Sequence, residues 1–166
     1  MRRFLRMAFL FAAVGLVFPG CDEEKKSVNL IENTFSLDDC TPVYKGNSSY
    51  LGESRTDLTL YATTEANQYY IPGFFGGEGG VAFYWDKETN VLSLIESYTG
   101  MYGDGGPVFI LSENRYVSLA GEDAPGSFYS PVLNAFSFNV LFESADYYGN
   151  VVHMTSSLTF TVKEIL

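Results

Sequence analysis

The chain has 166 residues, with 20 acidic, 10 basic and one histidine, for a net charge of −10. This balance argues against nucleic acid and anionic headgroups as partners, and one imidazole excludes sites that need two or three histidines. Aromatic residues make up 16% of the chain and there are 16 glycines, which fits a β-rich protein with many tight turns.

The first predicted element is a leader. Arg2, Arg3 and Arg6 precede an apolar run over residues 7–18, and Pro19 and Gly20 then lead to Cys21. A basic start, a short apolar core and a small residue before the cut are the parts of a secretory signal. As a helix the run covers roughly 18 Å against a bilayer core of ~30 Å, so a stable transmembrane helix is not expected. An ordinary signal-peptidase cut after Gly20 would put Phe18 where a small residue is preferred. The segment resembles a bacterial lipoprotein signal, whose peptidase needs the cysteine itself and a small residue before it. Phe18 and Pro19 depart from that family's usual Leu and small residue.

The resemblance implies that residues 1–20 are removed and that Cys21 carries the lipid, palmitate included. A soluble secreted protein is the alternative. Two or three acyl chains would hold the protein stably, whereas one would be marginal. Asp22, Glu23 and Glu24 resemble the start of surface lipoproteins of Bacteroidetes-type bacteria. In enterobacteria an Asp directly after the cysteine implies retention in the inner membrane. The expected location is the bacterial outer membrane, lipid-anchored and surface-exposed, with a periplasm-facing anchor as the alternative. Loss of the leader removes three of the ten bases, leaving seven against 20 acids and a net charge near −13. About 145 residues remain, enough for one ordinary domain without staples.

Residues 22–40 are charged, polar and aperiodic, and read as a tether. Acylation of Cys21 would leave Cys40 an unpaired thiol, which usually means burial; without it, a Cys21–Cys40 disulfide could form. No spacing resembles a zinc or redox site, and no cofactor is implied. From residue 41 onward the chain reads as one β domain. Strands are predicted at 57–64, 68–75, 81–85, 91–98, 107–112 and 116–119, with a weaker one at 43–51. The clearest runs come last. Phe136, Phe138, Val140 and Phe142 share one face, as do Val152, Met154, Ser156, Leu158, Phe160 and Val162. A period of two over such lengths marks half-buried strands. Pro72 cannot donate to a ladder and marks an edge or bulge. No segment after the leader shows helical periodicity.

Sequential hairpins predict an all-β, single antiparallel meander, forming a small barrel or a bent β-sandwich. Eight or nine strands would close a small barrel around side chains or one small ligand, roughly as small barrels do. The pattern resembles the calycin-like and related small β domains of Bacteroidetes-type lipoproteins. The Gly-x-Trp signature of lipocalins is absent; the single tryptophan is Trp85. In a strict meander, loops 65–67, 86–90, 113–115 and 144–150 share one end. The longer, glycine-rich loops 76–80, 99–106 and 120–134 share the other, where binding is expected.

Tyr98, Tyr102, Asp104, Phe128 and Tyr129 fall at or beside that second end. Aromatic faces with a carboxylate suit a sugar, by stacking on C–H faces and hydrogen bonding to hydroxyls. Tyr-rich loops also cover cores and contact proteins. Tyr147 and Tyr148, at the opposite end in a meander, are the rival pair. His153 reads as a solvated strand residue rather than a triad base. Nothing in the spacing singles out two acids for a glycosidase. Residues 86–90 place oxygen side chains at alternate positions, but without the full calcium loop they read as a hairpin turn. Residues 76–80 lack the ending of a phosphate loop and read as a wide, flexible turn.

The expected function is a non-catalytic binding or accessory module with a glycan or small nutrient as ligand. A structural or interaction subunit of an envelope complex is the alternative. A small carboxylate-dependent hydrolase is a third reading.

Overall fold

The structure, a computed structural model, describes residues 36–166. Cys21, the leader and most of the predicted tether lie outside the described residues. A single 3-10 turn, Leu37–Asp39, precedes ten strands and one helix. The strands are β1 (Thr41–Tyr50), β2 (Glu53–Ala62), β3 (Gln68–Pro72), β4 (Gly80–Trp85), β5 (Val91–Ile95), β6 (Ser97–Gly103), β7 (Gly106–Ile110), β8 (Ser127–Ser130), β9 (Ala135–Ala145) and β10 (Val151–Ile165). The helix α1 spans Glu113–Ala120, between β7 and β8.

All pairings are antiparallel, and β10 pairs with both β9 and β1, which closes an eight-stranded barrel. β6 continues β5 after Glu96. β8 pairs with β9 through Ser137, Phe136 and Ala135, whereas β7 pairs with β9 through Glu143 and Phe142. One position in the wall is therefore filled from one end by β7 and from the other by β8, and α1 bridges them. This is a departure from the strict meander, and it redistributes the loops. Turns 51–52, 73–79, 104–105 and 146–150 share one rim, called here the upper rim. Turns 63–67, 86–90 and 131–134 share the lower rim.

The predicted strand at 116–119 is instead the middle of α1. Ser112 stands at its N-cap position with extended backbone, Glu113 occupies the first turn, and Gly121 ends it at φ +93°. These are the ordinary signals of a helix start and stop. Alternation misled because Val117 and Leu119 face solvent, and Tyr116 is the helix's one buried residue. Tyr116 packs with Leu111 and Leu141 on the outside of the barrel. The long 120–134 connection contains β8, and 99–106 is mostly the β6–β7 hairpin.

The interior is aromatic. Phe74, Phe83, Phe136, Phe138 and Phe160 are fully buried there with Leu60, Ile71 and Leu158. Phe83 meets Phe138 edge-on at 5.0 Å, and Trp85 meets Phe136 likewise at 5.0 Å. Edge-to-face contacts of this kind add to the gain from burial. Inward positions of β9 and β10 are Phe136, Phe138, Val140, Phe142, Leu158, Phe160 and Val162, as alternation predicts. Val152 and Met154 share that register but are exposed, because β10 runs on past the last β1 contact at Thr159.

Candidate functional site

Outward-facing residues of four strands fall into one cross-strand row. Tyr98 of β6 is opposite Phe109 of β7, Phe109 is opposite Glu143 of β9, and Glu143 is opposite His153 of β10. Strands in a sheet lie about 4.8 Å apart, so the row spans roughly 14 Å. The Tyr98 and Phe109 rings are 5.8 Å apart, and Tyr102 meets Tyr98 edge-on at 6.1 Å.

A polar network continues the row. The Arg115 guanidinium donates to Glu143 at 2.8 Å and to Glu96 at 3.0 Å. The second Glu143 contact is His153 Nε2, at 2.9 Å from the same oxygen that Arg115 holds. Hydrogen bonding to Glu96 is the main cause that raises Arg115 above its ordinary pKa, with both carboxylates adding and burial opposing. Burial pushes the Tyr98 phenol up to about 12, with Tyr102 and the charge of Glu78 adding. Tyr98 is thus a neutral hydroxyl throughout the physiological range.

Beyond α1 the same outer face carries an open groove of about 440 Å³. Tyr116, Asp123, Pro125, Asn139, Thr155 and Ser157 line it. Asn139 is held in place: its amide donates to Gly126 O at 2.8 Å and its Oδ1 accepts from Ser157 Oγ at 2.9 Å. Row and groove are two parts of one face of β9–β10, separated by the helix over Leu141.

The five aromatic and acidic residues expected to act together are split between the rims. Tyr98, Tyr102 and Asp104 lie on the β6–β7 hairpin at the upper rim. Tyr147 and Tyr148, predicted at the opposite end, are on this same rim; Gly105 N donates to Ala145 O at 3.1 Å across the two hairpins. Phe128 and Tyr129 lie on β8, which runs to the lower rim. Tyr129 packs on Phe136 at 4.7 Å and on Trp85 at 4.9 Å, and its hydroxyl donates to Asn134. Phe128 stands exposed opposite Val91 and Ser137.

Comparison with family models, curated proteins and solved structures returns no match.

Sequence reasoning missed Phe109, Glu143, Arg115 and His153 as a group. One signal was available: a hairpin over 146–150 that pairs Ala145 with Val151 also sets Glu143 opposite His153. Among the described residues no cluster of three potential metal ligands occurs. In the 86–90 turn Asp86 Oδ1 accepts from the Glu88 and Thr89 amides and Oδ2 from the Thr89 hydroxyl. These bonds, Thr89's first, lower the Asp86 pKa and account for the turn chemistry. Residues 76–79 lie in the β3–β4 turn, which rests on β6: a Cβ on Gly79 would overlap the backbone of Tyr98 and Gly100. Cys40 is half-buried, its thiol donating to Ser36 O at 3.3 Å. Burial first, and then Asp39, raise its pKa, which leaves little thiolate to react.

Proposed function

We propose that this protein is a non-catalytic glycan-binding module, held at the outer face of a bacterial outer membrane by an acylated Cys21. The row Tyr98–Phe109–Glu143–His153 is the observation that carries the binding part of the reading. It offers ring faces for C–H stacking beside planar carboxylate and guanidinium groups for hydroxyls. The Asn139 and Thr155 groove extends the same kind of surface. Arg115 bridges Glu96 and Glu143, so both carboxylates are already paired with a cation. That favours positioning of a polyhydroxyl ligand over acid–base work. The acidic balance of the chain favours a neutral glycan over an anionic one, and gives nucleic acid no foothold.

Calorimetry with envelope polysaccharides tests the ligand. Phe109→Ala and Glu143→Gln should each weaken binding about tenfold or more, roughly 1.4 kcal/mol, with the fold intact by circular dichroism. Tyr129→Ala, on the far side of the wall, should leave affinity unchanged. Absence of binding to any carbohydrate would overturn the reading. The anchor is tested separately: Cys21→Ser should abolish acylation and release the protein, and unchanged membrane retention would refute it.

A further inference from the structure

The upper half of β10 is a sheet edge. Register with β9 is unbroken from Val151 to Thr161, whereas pairing with β1 begins only at Thr159. Val162 N donates to Asn134 O, and Asp146 N to Asn150 O, which fixes the alternation. Even-numbered residues of β10 turn their backbone groups to β9. Val151, His153, Thr155 and Ser157 turn theirs the other way, where no backbone partner occurs among the described residues.

Natural sheets protect such edges with charges, prolines or bulges. None is present here. Residues 147–162 contain no Asp, Glu, Lys, Arg or Pro, in a chain with 30 charged residues. Val151, Val152 and Met154 on this strand are exposed, with Tyr147 and Tyr148 at its tip.

We infer that this edge pairs with the same edge of a second copy, extending both barrels into one antiparallel sheet. This inference does not depend on the glycan reading. Two copies related by a twofold axis at Met154 set Val151 opposite the partner's Ser157, and His153 opposite the partner's Thr155. Every open N–H and C=O of Val151, His153, Thr155 and Ser157 then gains a partner, since odd residues meet odd residues. No charge faces a like charge. An isologous contact of this kind closes on itself and leaves no new edge between the copies. Met154 lies on the axis in a non-hydrogen-bonded pair, where Cα atoms approach to about 4.5 Å. The acidic remainder of the surface opposes association, so salt strengthens the pairing by screening.

The full chain extracted in mild detergent is expected to sediment as a dimer. Thr155→Pro removes one edge N–H without touching the β9 ladder and should give a monomer with an unchanged circular dichroism spectrum. A second test stands even if that variant misfolds. In a Cys40→Ser background, Met154→Cys should form a disulfide across the axis under mild oxidation. Val152→Cys, set opposite the partner's Ser156, should not. The Met154→Cys distance lies within the range a disulfide spans, about 4.4–6.8 Å between Cα atoms. A monomer at every concentration and salt level overturns the inference, as does equal cross-linking by the two cysteines. Hydrogen-exchange protection of residues 22–35 together with 151–157 in a monomer would also overturn it, by assigning the edge to the chain's own N-terminal segment.

Discussion

Glu113 opens α1, where the helix N-terminus favours a negative charge. Its Oε2 is nevertheless buried without a hydrogen-bond partner among the described residues. Burial is the larger effect and raises its pKa, with the Leu94 backbone contributing a smaller opposing bond. The consequence for stability has a definite sign. The folded state binds the proton more tightly than the unfolded chain, whose carboxyl stays near 4.5. The penalty is absent below that value, grows as pH rises through the folded pKa, and is complete above it. Glu113→Gln should therefore raise the melting temperature at neutral pH, and the gain should vanish as pH falls below 4.5. Parallel melting curves across that range would show that the carboxylate carries no penalty. The sequence could place Glu113 near a turn, but its burial follows from α1 lying on the barrel, and no local pattern carries that.

At the scale of elements, the turn between β3 and β4 packs directly against β6. Cβ atoms at Gly77 and Gly79 would meet the backbone of Gly100 and its neighbours, and Gly100 itself adopts φ +81°. Glycine at these positions lets two backbones touch. Gly79→Ala should destabilise the protein by about 1–3 kcal/mol, as overpacking does, because backbone cannot yield as a side chain can. Urea unfolding would measure it; Gly126→Ala, with open space around its Cβ, serves as the neutral control. The alternation of Phe136, Phe138 and Phe142 was legible because a half-buried strand imposes a period of two. Val152 and Met154 obey the same period and are exposed, since alternation identifies a face and not what stands opposite it. Alternation also hid α1, a helix of eight residues whose cap residues were better evidence than its apolar pattern. The Tyr98–Phe109–Glu143–His153 row was half legible. The β9–β10 hairpin gives Glu143 beside His153, but Phe109 reaches Glu143 only because β7 enters the wall out of sequence order.

At the scale of the whole molecule, closure depends on the two ends of the β domain. β1 begins at Thr41 and β10 ends at Ile165, and they pair from Tyr44 with Ile165 to Ser49 with Thr159. No hairpin brings them together, so the ring cannot close until every intervening strand is in place. Contacts of such long sequence separation slow folding to about the millisecond-to-second range. They also make closure a property of the full chain. A chain ending at Ser157 would lose Leu158, Phe160 and Val162 from the interior and leave β1 and β9 as open edges. Deleting one large buried side chain typically costs about 2–5 kcal/mol, and a whole domain is stable by only about 5–15 kcal/mol. Loss of three such residues and the whole β1–β10 ladder exceeds that margin. The truncated chain should show no cooperative unfolding transition and should bind a hydrophobic dye, whereas the intact chain should unfold in one step, as single domains under about 150 residues usually do. A sharp transition in the truncated chain would mean that the wall holds together as an open sheet. Closure by β10 would then serve the edge at Val151–Ser157 more than the stability of the barrel.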